Sequence, residues 1–187
     1  MKKIKNIIFI IYFTTLIGFS TTCLALENFE YTNIIKKHLE TNLPQDYNYI
    51  FTIVPRGIVI SIDSTVFFEN EQDIIKENAK ELLNKIGDLI IQINKPCVIE
   101  GNAEKTQTLL KEYKNNWELS IARAESIANY LIKIKNINPN NISAIGFGEI
   151  KPTPKYETQQ KTLNRIDFVL LNYDEQLDLY NSLLHSR

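Results

Sequence analysis

The stretch that decides the fold is Asn116-Trp117-Glu118-Leu119-Ser120-Ile121-Ala122-Arg123-Ala124. Together with the residues up to position 135, it has the period of an amphipathic helix. One side of this helix is apolar and contains Trp117, Ile121, Ala124, Ala128, Leu131 and Ile132. The opposite side is polar and contains Glu118, Glu125, Asn129 and Lys133. We therefore expect a helix that packs one face on a core, with Trp117 in that packing.

Arg123 is the one residue that this pattern does not explain. It falls at the edge of the apolar side, beside Ile127 and Ile134. A guanidinium sheltered by protein at such a place binds a carboxylate better than a fully solvated one does. The alternative is that the aliphatic stem covers the core while the head group reaches water. The residues alone leave both interpretations open.

The N-terminal half of the chain predicts a helix and a hairpin. Residues 27–42 have loosely helical spacing, and Pro44 follows just beyond them. Residues 47–54 alternate as a strand does, and Pro55-Arg56-Gly57 predicts a turn into a second strand. The two strands are expected to pair as a hairpin.

A second long helix is expected after Asn70, because Asn70 and Asp73 together are typical of a helix cap. Its apolar side contains Ile75, Ala79, Leu82, Ile86, Leu89, Ile90 and Ile93. Asn94-Lys95-Pro96 is predicted to end it. Residues 97–101, 142–147 and 165–171 have the composition of further strands. Two long helices must bury their apolar sides on one face of a sheet, so the pattern predicts a two-layer α/β sandwich.

The order Asn-Trp-Glu-Leu-Ser-x-x-Arg-Ala resembles the signature of the OmpA-like domain, a peptidoglycan-binding module. Four other pieces resemble the same family in the same order. They are Arg56 to Ile62 with Val66-Phe67-Phe68, Val98 to Glu104, Gly146-Phe147-Gly148-Glu149 with Pro152, and Leu163-Asn164-Arg165-Ile166-Asp167-Phe168. The resemblance covers residues 55–171. It implies an α/β (α+β) fold of βαβαβ-β order, with the helices packed on one face of a mixed sheet.

The resemblance also implies a site for the diaminopimelate stem of peptidoglycan. In the family, an Asp takes the ammonium of diaminopimelate and the signature Arg takes its carboxylate, and the matching positions here are Glu104 and Arg123. Asn102 and Asn116 are expected to hydrogen-bond at the rim. Arg165 is the retained last member of the family's Asn-Arg-Arg triplet. A nearby helix N-terminus would add a favourable dipole for the carboxylate.

The loop that carries Glu104 departs from the family. Where the family reads Gly-His-Thr-Asp, this chain reads Gly101-Asn102-Ala103-Glu104. The scaffold is therefore kept while the ligand loop is partly rewritten. This leaves a second hypothesis open, in which the domain contacts an envelope protein or a second copy of itself and has lost wall binding.

The N-terminus predicts an export signal in residues 1–25. A basic start precedes the apolar residues 7–19, and Cys23-Leu24-Ala25 offers small residues for cleavage after Ala25. We expect cleavage and a periplasmic protein. Retention of residues 7–26 as a membrane anchor and lipidation at Cys23 are the alternatives, and either would attach the protein to a membrane, the outer membrane included. Residues 7–26 contain no charged side chain, which argues against an ion-conducting helix.

The predicted organisation is therefore a signal segment (residues 1–25), an extension with a helix and a strand (26–54), the OmpA-like domain (55–171) and a helical tail (172–187). Composition excludes several other classes of function. The net charge of −1 gives no support for nucleic-acid binding. His38 and His185 have no partners at ligand spacing, so no metal site and no cofactor are expected. No catalytic motif was found, and Cys97 is interpreted as a buried free thiol.

Overall fold

The computed structural model describes residues 30–103, 113–149 and 164–172. In these ranges, five strands form one sheet: β1 (Tyr49–Val54), β2 (Gly57–Asp63), β3 (Cys97–Asn102), β4 (Ile142–Gly146) and β5 (Arg165–Leu171). The helices are α1 (residues 30–42), α2 (Lys80–Ile93) and α3 (Asn116–Lys135). Short 3-10 turns occupy Ser64–Val66, Glu77–Ala79 and Pro139–Asn141.

The sheet is mixed, and β5, the last of the described strands in chain order, lies in its middle. The order is β1-β2-β5-β3-β4. All neighbouring strands are antiparallel except β3 and β4, which are parallel. In sequence α3 lies between these two parallel strands and α2 lies between β2 and β3, so each helix belongs to a crossover. The expected mixed sheet is thereby confirmed.

The helices pack on one face of the sheet, because each strand buries alternate residues against them. In β5 these residues are Ile166, Phe168 and Leu170. The other strands contribute Ile58, Ile60, Ile62, Cys97, Ile99 and Ile142 to the same core. The ring of Phe168 meets that of Phe67 edge-on at 5.9 Å, which is a favourable aromatic geometry. The predicted two-layer sandwich is confirmed.

The N-terminal extension is part of the same unit. β1 pairs with β2 along its whole length, and the turn closes where Val54 faces Gly57, so the expected hairpin is confirmed. Ile35, Leu39 and Leu43, from α1 and the residue after it, lie in the shared core. The sheet therefore gains an edge strand from outside the stretch that resembles the OmpA-like domain.

The N-terminus of α2 was predicted too early. The helix begins at Lys80, after the 3-10 turn, and neither Asn70 nor Asp73 caps it. Ile75 forms a β-bridge with Phe68 instead, and this pairing removes the segment before residue 77 from the helix. The other end is as predicted, because Asn94 adopts a left-handed conformation with φ of 54° and ends the helix.

The predicted export segment and the C-terminal tail from residue 173 onwards lie outside the described residues. Among the residues that are described, no helix combines the length and the apolar character needed to cross a membrane.

Candidate functional site

A pocket lies where the C-terminal ends of β2 and β3 and the N-terminal end of β5 approach the start of α3. Its volume is about 200 Å³. Its lining consists of Ser64, Thr65, Phe68, Glu69, Asn70, Glu71, Ala103, Asn116, Leu119, Arg123 and Asn164. Two of the five predicted site residues, Asn116 and Arg123, are therefore brought together in one cavity.

The start of α3 is capped by Asn115, whose side-chain oxygen accepts a hydrogen bond from the backbone N–H of Glu118 at 2.9 Å. The carboxylate of Glu118 reaches back to the backbone N–H of Lys114 at 2.9 Å. The arrangement is close to a capping box, displaced by one residue on the return bond. It fixes the position of the helix end, whose partial positive charge favours an anion.

Glycines allow the start of α3 to rest directly on the backbone of the sheet. A Cβ atom added to Gly101 would lie 1.9 Å from the carbonyl oxygen of Ser120, and one added to Gly146 would lie 2.6 Å from the amide nitrogen of Ile121. The hydroxyl of Ser120 accepts a hydrogen bond from the N–H of Gly148 at 2.9 Å. The Gly-Phe-Gly loop is thus explained by close packing, and it holds one wall of the pocket in place.

Arg123 is buried, with only 5% of its surface exposed. Its Nε donates to the carbonyl oxygen of Gln72 at 2.8 Å, and its Nη2 donates to that of Glu69 at 3.1 Å. Nη1 lies 3.4 Å from the hydroxyl of Ser64, and the guanidinium sits 5.3 Å from the centre of the Phe68 ring. The interpretation in which the head group reaches water is therefore wrong, because the head group is anchored inside the protein.

Burial is also the main electrostatic influence on Arg123. Loss of solvent lowers the pKa of the guanidinium, while Tyr113, Asp73 and Asp63 act in the opposite direction. An arginine stays protonated despite such a shift, since its pKa starts so high. The pocket therefore contains a permanent positive charge with several carboxylates around it.

The loop from Ser64 to Lys76 forms the outer wall of the pocket. Its two ends are joined, because the backbone N–H of Lys76 donates to Phe67 and its ammonium donates to the carbonyl of Thr65 at 2.9 Å. The same ammonium pairs with the carboxylate of Glu69 at 3.1 Å. Glu71 adopts a positive φ of 61°, a backbone conformation that residues other than glycine rarely adopt. Arg123 holds this loop by donating hydrogen bonds to the backbone carbonyls of Glu69 and Gln72.

Asn116 contributes an unsatisfied acceptor. Its side-chain oxygen is buried and has no hydrogen-bond donor among the described residues. Buried polar atoms are nearly always paired, so this oxygen calls for a donor beyond the described residues.

Asn102 and Arg165 lie next to each other but do not line the pocket. The two residues face each other across β3 and β5, and both are almost fully buried. Nε of Arg165 donates to the Asp167 carboxylate at 3.1 Å, and the amide of Asn102 donates to the same carboxylate at 3.1 Å. Nη1 of Arg165 is buried and has no acceptor among the described residues. Alternation along the strands places this cluster on the sheet face away from the helices.

Glu104 lies outside the described residues. Its neighbour Ala103 is buried, lines the pocket, and donates its backbone N–H to the carbonyl of Gly148 at 2.9 Å. The described start of the rewritten loop therefore lies at the pocket.

Trp117 does not pack in the core, so that prediction was wrong. Trp117 is 53% exposed, whereas Leu119, Ser120 and Arg123 of the same helix are buried. The predicted packing face was defined by its apolar residues alone. In the structure, α3 instead turns the side that carries Ser120 towards the sheet. That orientation is favourable because the hydroxyl and the guanidinium find internal hydrogen-bond partners there.

The acceptors of Arg123 were not predicted. The guanidinium binds the hydroxyl of Ser64 and the backbone carbonyls of Glu69 and Gln72. Every residue has a backbone carbonyl, so a sequence does not indicate which carbonyls will accept a hydrogen bond. The predicted free thiol of Cys97 is confirmed, and burial raises its pKa to about 12. His38 contacts Gln92 and Asn42, while His185 lies outside the described residues. The described residues contain no group of His, Cys, Asp and Glu that would hold a metal ion.

Comparison with known proteins identifies the class of domain that this fold and pocket define. The model of the OmpA family matches residues 67–165, which is more than half of the chain. The protein belongs to the OmpA family.

Two relatives from Bacillus subtilis match over similar lengths. Motility protein B is 30% identical over 118 residues, which are 62% of this chain and 45% of that protein. The uncharacterized protein YtxE is 27% identical over 117 residues, 62% of this chain and 48% of that protein. The chain thus spans about half the length of these relatives. Among solved structures, a MotB-like protein from Desulfovibrio vulgaris superposes with a TM-score of 0.66 at 21% identity, covering 80% of this chain and 94% of that one.

Proposed function

We propose that this protein is a non-catalytic module of the cell envelope that binds the diaminopimelate stem of peptidoglycan in the periplasm. Membership of the OmpA family supports a wall-binding role. The observation that carries the proposal is the pocket beside α3, which combines a buried permanent cation, Arg123, with an unsatisfied acceptor, Asn116.

The chemistry of diaminopimelate suits such a pocket, because one of its carbon atoms carries both an ammonium and a carboxylate. Three N–H groups of Arg123 are used by acceptors among the described residues, and a guanidinium has five. The remaining two, with the positive end of α3, would receive the carboxylate. The side-chain oxygen of Asn116 would accept from the ammonium, and the carboxylate of Glu104 would balance its charge.

Asn102 and Arg165 enter the proposal as positioning residues. Their cluster with Asp167 fixes the last residue of β3, from which the loop to Glu104 departs. A change in this cluster would therefore affect binding indirectly, through the position of Glu104. It would not remove a direct contact with the ligand.

Calorimetric titration with a stem peptide that contains diaminopimelate tests the proposal. Glu104→Gln should weaken binding about ten-fold, since an ammonium loses a full negative counter-charge. Glu125→Gln is the matched control, because it removes the same charge from an exposed position on α3 and should bind like the parent. A stem peptide with lysine in place of diaminopimelate lacks the carboxylate and should bind more weakly to the parent.

The second hypothesis, a scaffold for a protein partner or a second copy, is the outcome if the parent shows no heat at millimolar stem peptide. Its motivation is that Arg123 is already largely engaged by the loop. Binding of Glu104→Gln at parental affinity would remove Glu104 from the site but would leave Arg123 and Asn116 in it. Attachment to a membrane through residues 7–26 is the alternative to the cleavage that we expect after Ala25.

A further inference from the structure

We propose that residues 173–187 form an amphipathic helix that covers the second face of the sheet, the one that faces away from α1, α2 and α3. The proposal goes beyond wall binding and does not depend on it. The segment itself lies outside the described residues, whereas the surface that it would cover lies within them.

The centre of the second face is buried, although none of the three described helices lies on it. The residues that point there, because their strand neighbours point into the core, are Val59 and Ser61 of β2, Glu100 of β3, and Asp167 and Val169 of β5. All are buried, and Val59 is the most exposed of them at 7%. Neither valine belongs to the hydrophobic core that the helices share. A sheet face open to water would leave such residues partly exposed, so we infer that a further element covers them.

The burial fades from the middle of the sheet towards its two edges. On the same face, Ile50 and Thr52 of β1 are partly exposed, and Ser143 and Ile145 of β4 are exposed. The buried strands β2, β5 and β3 are neighbours, so the covered width is two strand spacings, or about 10 Å. An α-helix with its side chains is about 10–12 Å wide. The footprint is therefore that of one helix lying along β5.

The charges on the second face are paired within it. Arg56 donates to Glu100 at 2.7 Å, and Arg165 donates to Asp167 at 3.1 Å. Close to the end of β5, a row of three valines crosses the sheet: Val59, Val169 and Val98. An element that covers this row must present an apolar side, since an unpaired polar group there would lose its hydration.

Residues 173–187 have the pattern of such a helix. Their apolar side chains recur at helical spacing and share one side: Tyr173, Leu177, Tyr180 and Leu184. Their acidic side chains fall on the opposite side: Asp174, Glu175 and Asp178. A helix of this length spans about 22 Å, and the seven residues of β5 span about 23 Å. The segment is therefore long enough to follow β5 from end to end.

The segment starts where the second face is most apolar. Asn172 follows β5 directly, and its backbone N–H donates to the carbonyl of Arg56 at 3.0 Å. The Arg56 side chain is 39% exposed, so its guanidinium would lie close to the acidic residues Asp174 and Glu175. This attraction favours a chain that turns back over the face at Asn172.

The other parts of the chain outside the described residues are placed less favourably. Residues before α1 join the helical layer, because α1 packs beside α2 in the shared core. Ala103 and Asn164, which flank the segments 104–112 and 150–163, line the pocket at the opposite end of the sheet from Asn172. The valine row is thus nearest to residues 173–187.

Thiol labelling tests the proposal in the full chain. Val59→Cys places a thiol on the second face with little change in volume. In the full chain this thiol should react at least ten-fold more slowly than an exposed one, and its labelling should speed up at least ten-fold when the chain ends at Asn172. Cys97 is buried on the helical side and should stay unlabelled in both chains, which reports an intact fold. Mass spectrometry of peptides reads each thiol separately.

Two variants of the full chain decide the matter if labelling of Cys97 shows that the shortened chain has unfolded. Leu177→Asp lies on the apolar side and should speed up labelling at position 59 at least ten-fold. Leu179→Asp makes the same change away from that side and should leave the thiol protected.

Three results would overturn the proposal. The first is unchanged protection at position 59 in the folded shortened chain or in Leu177→Asp, which would assign the cover to another segment. The second is rapid labelling in the full chain, which would mean an open face. The third is protection that is lost on dilution, which would assign the face to a second copy of the chain.

Discussion

Replacement of Arg123 by methionine is expected to destabilise the protein by about 2–4 kcal/mol. The substitution removes two short hydrogen bonds from a charged donor, to the carbonyls of Gln72 and Glu69, and such bonds contribute about 1.5–3 kcal/mol each. The loss is smaller than their sum, because methionine avoids the cost of burying a charge and the loop carbonyls can turn towards water.

Urea denaturation followed by circular dichroism measures this loss. With a slope of roughly 2 kcal/mol per molar for a domain of this size, the midpoint should fall by about 1–2 M. Hydrogen exchange should increase most between residues 69 and 72, where the carbonyls lose their donor. Arg123→Lys is the matched control, since it keeps the charge and one hydrogen bond and should lose about half as much. A midpoint within about 0.2 M of the parent would refute the view that Arg123 holds the loop.

Four further outcomes are expected. Glu104→Asp should bind the stem peptide as tightly as the parent or more tightly in calorimetry, because it restores the family's residue; clearly weaker binding would contradict this. Gly101→Ala should lower the free energy of unfolding by roughly 2–4 kcal/mol, since its Cβ would lie 1.9 Å from the carbonyl oxygen of Ser120, and a thermal melt like that of the parent would show otherwise. Burial raises the pKa of Cys97 from 9.0 to about 12, so the unfolded thiol ionises first. The free energy of unfolding should therefore fall as the pH rises above 9. The folded thiol should not react with Ellman's reagent at about pH 8, and rapid labelling would contradict its burial. Mass spectrometry should find Leu26 at the mature N-terminus, whereas an intact Met1 would support the anchor.

The sequence was sufficient for the layers of the fold, because they depend on periodic burial. Alternation in residues 47–54 and 165–171 and the helical period after Asn116 predicted the strands and α3. The end of α2 at Asn94, which depends on a local signal, was also predictable. These features are set by neighbouring residues and by the side chains that face the core.

The features that could not be predicted from the sequence depend on contacts between distant segments. The bridge between Phe68 and Ile75 replaced a plausible helical turn, although Asn70 and Asp73 have the pattern of a cap. The rotation of α3 that exposes Trp117 and buries Arg123 follows from hydrogen bonds to a loop about fifty residues earlier. The pocket is therefore visible only after the chain has folded, although two of its polar residues were singled out beforehand.

The contact of Gly101 and Gly146 with the start of α3 has a consequence for how this site changes during evolution. The contact joins backbone to backbone, so it holds the helix end in addition to the Asn115 cap and does so independently of the side chains that line the pocket. The positive field of the helix end at the pocket comes from peptide groups and not from the side chains that line the pocket. Neighbouring side chains can then vary while the pocket still faces a fixed source of attraction for anions. Selection for ligand binding can therefore weaken or be restored without any change in the scaffold.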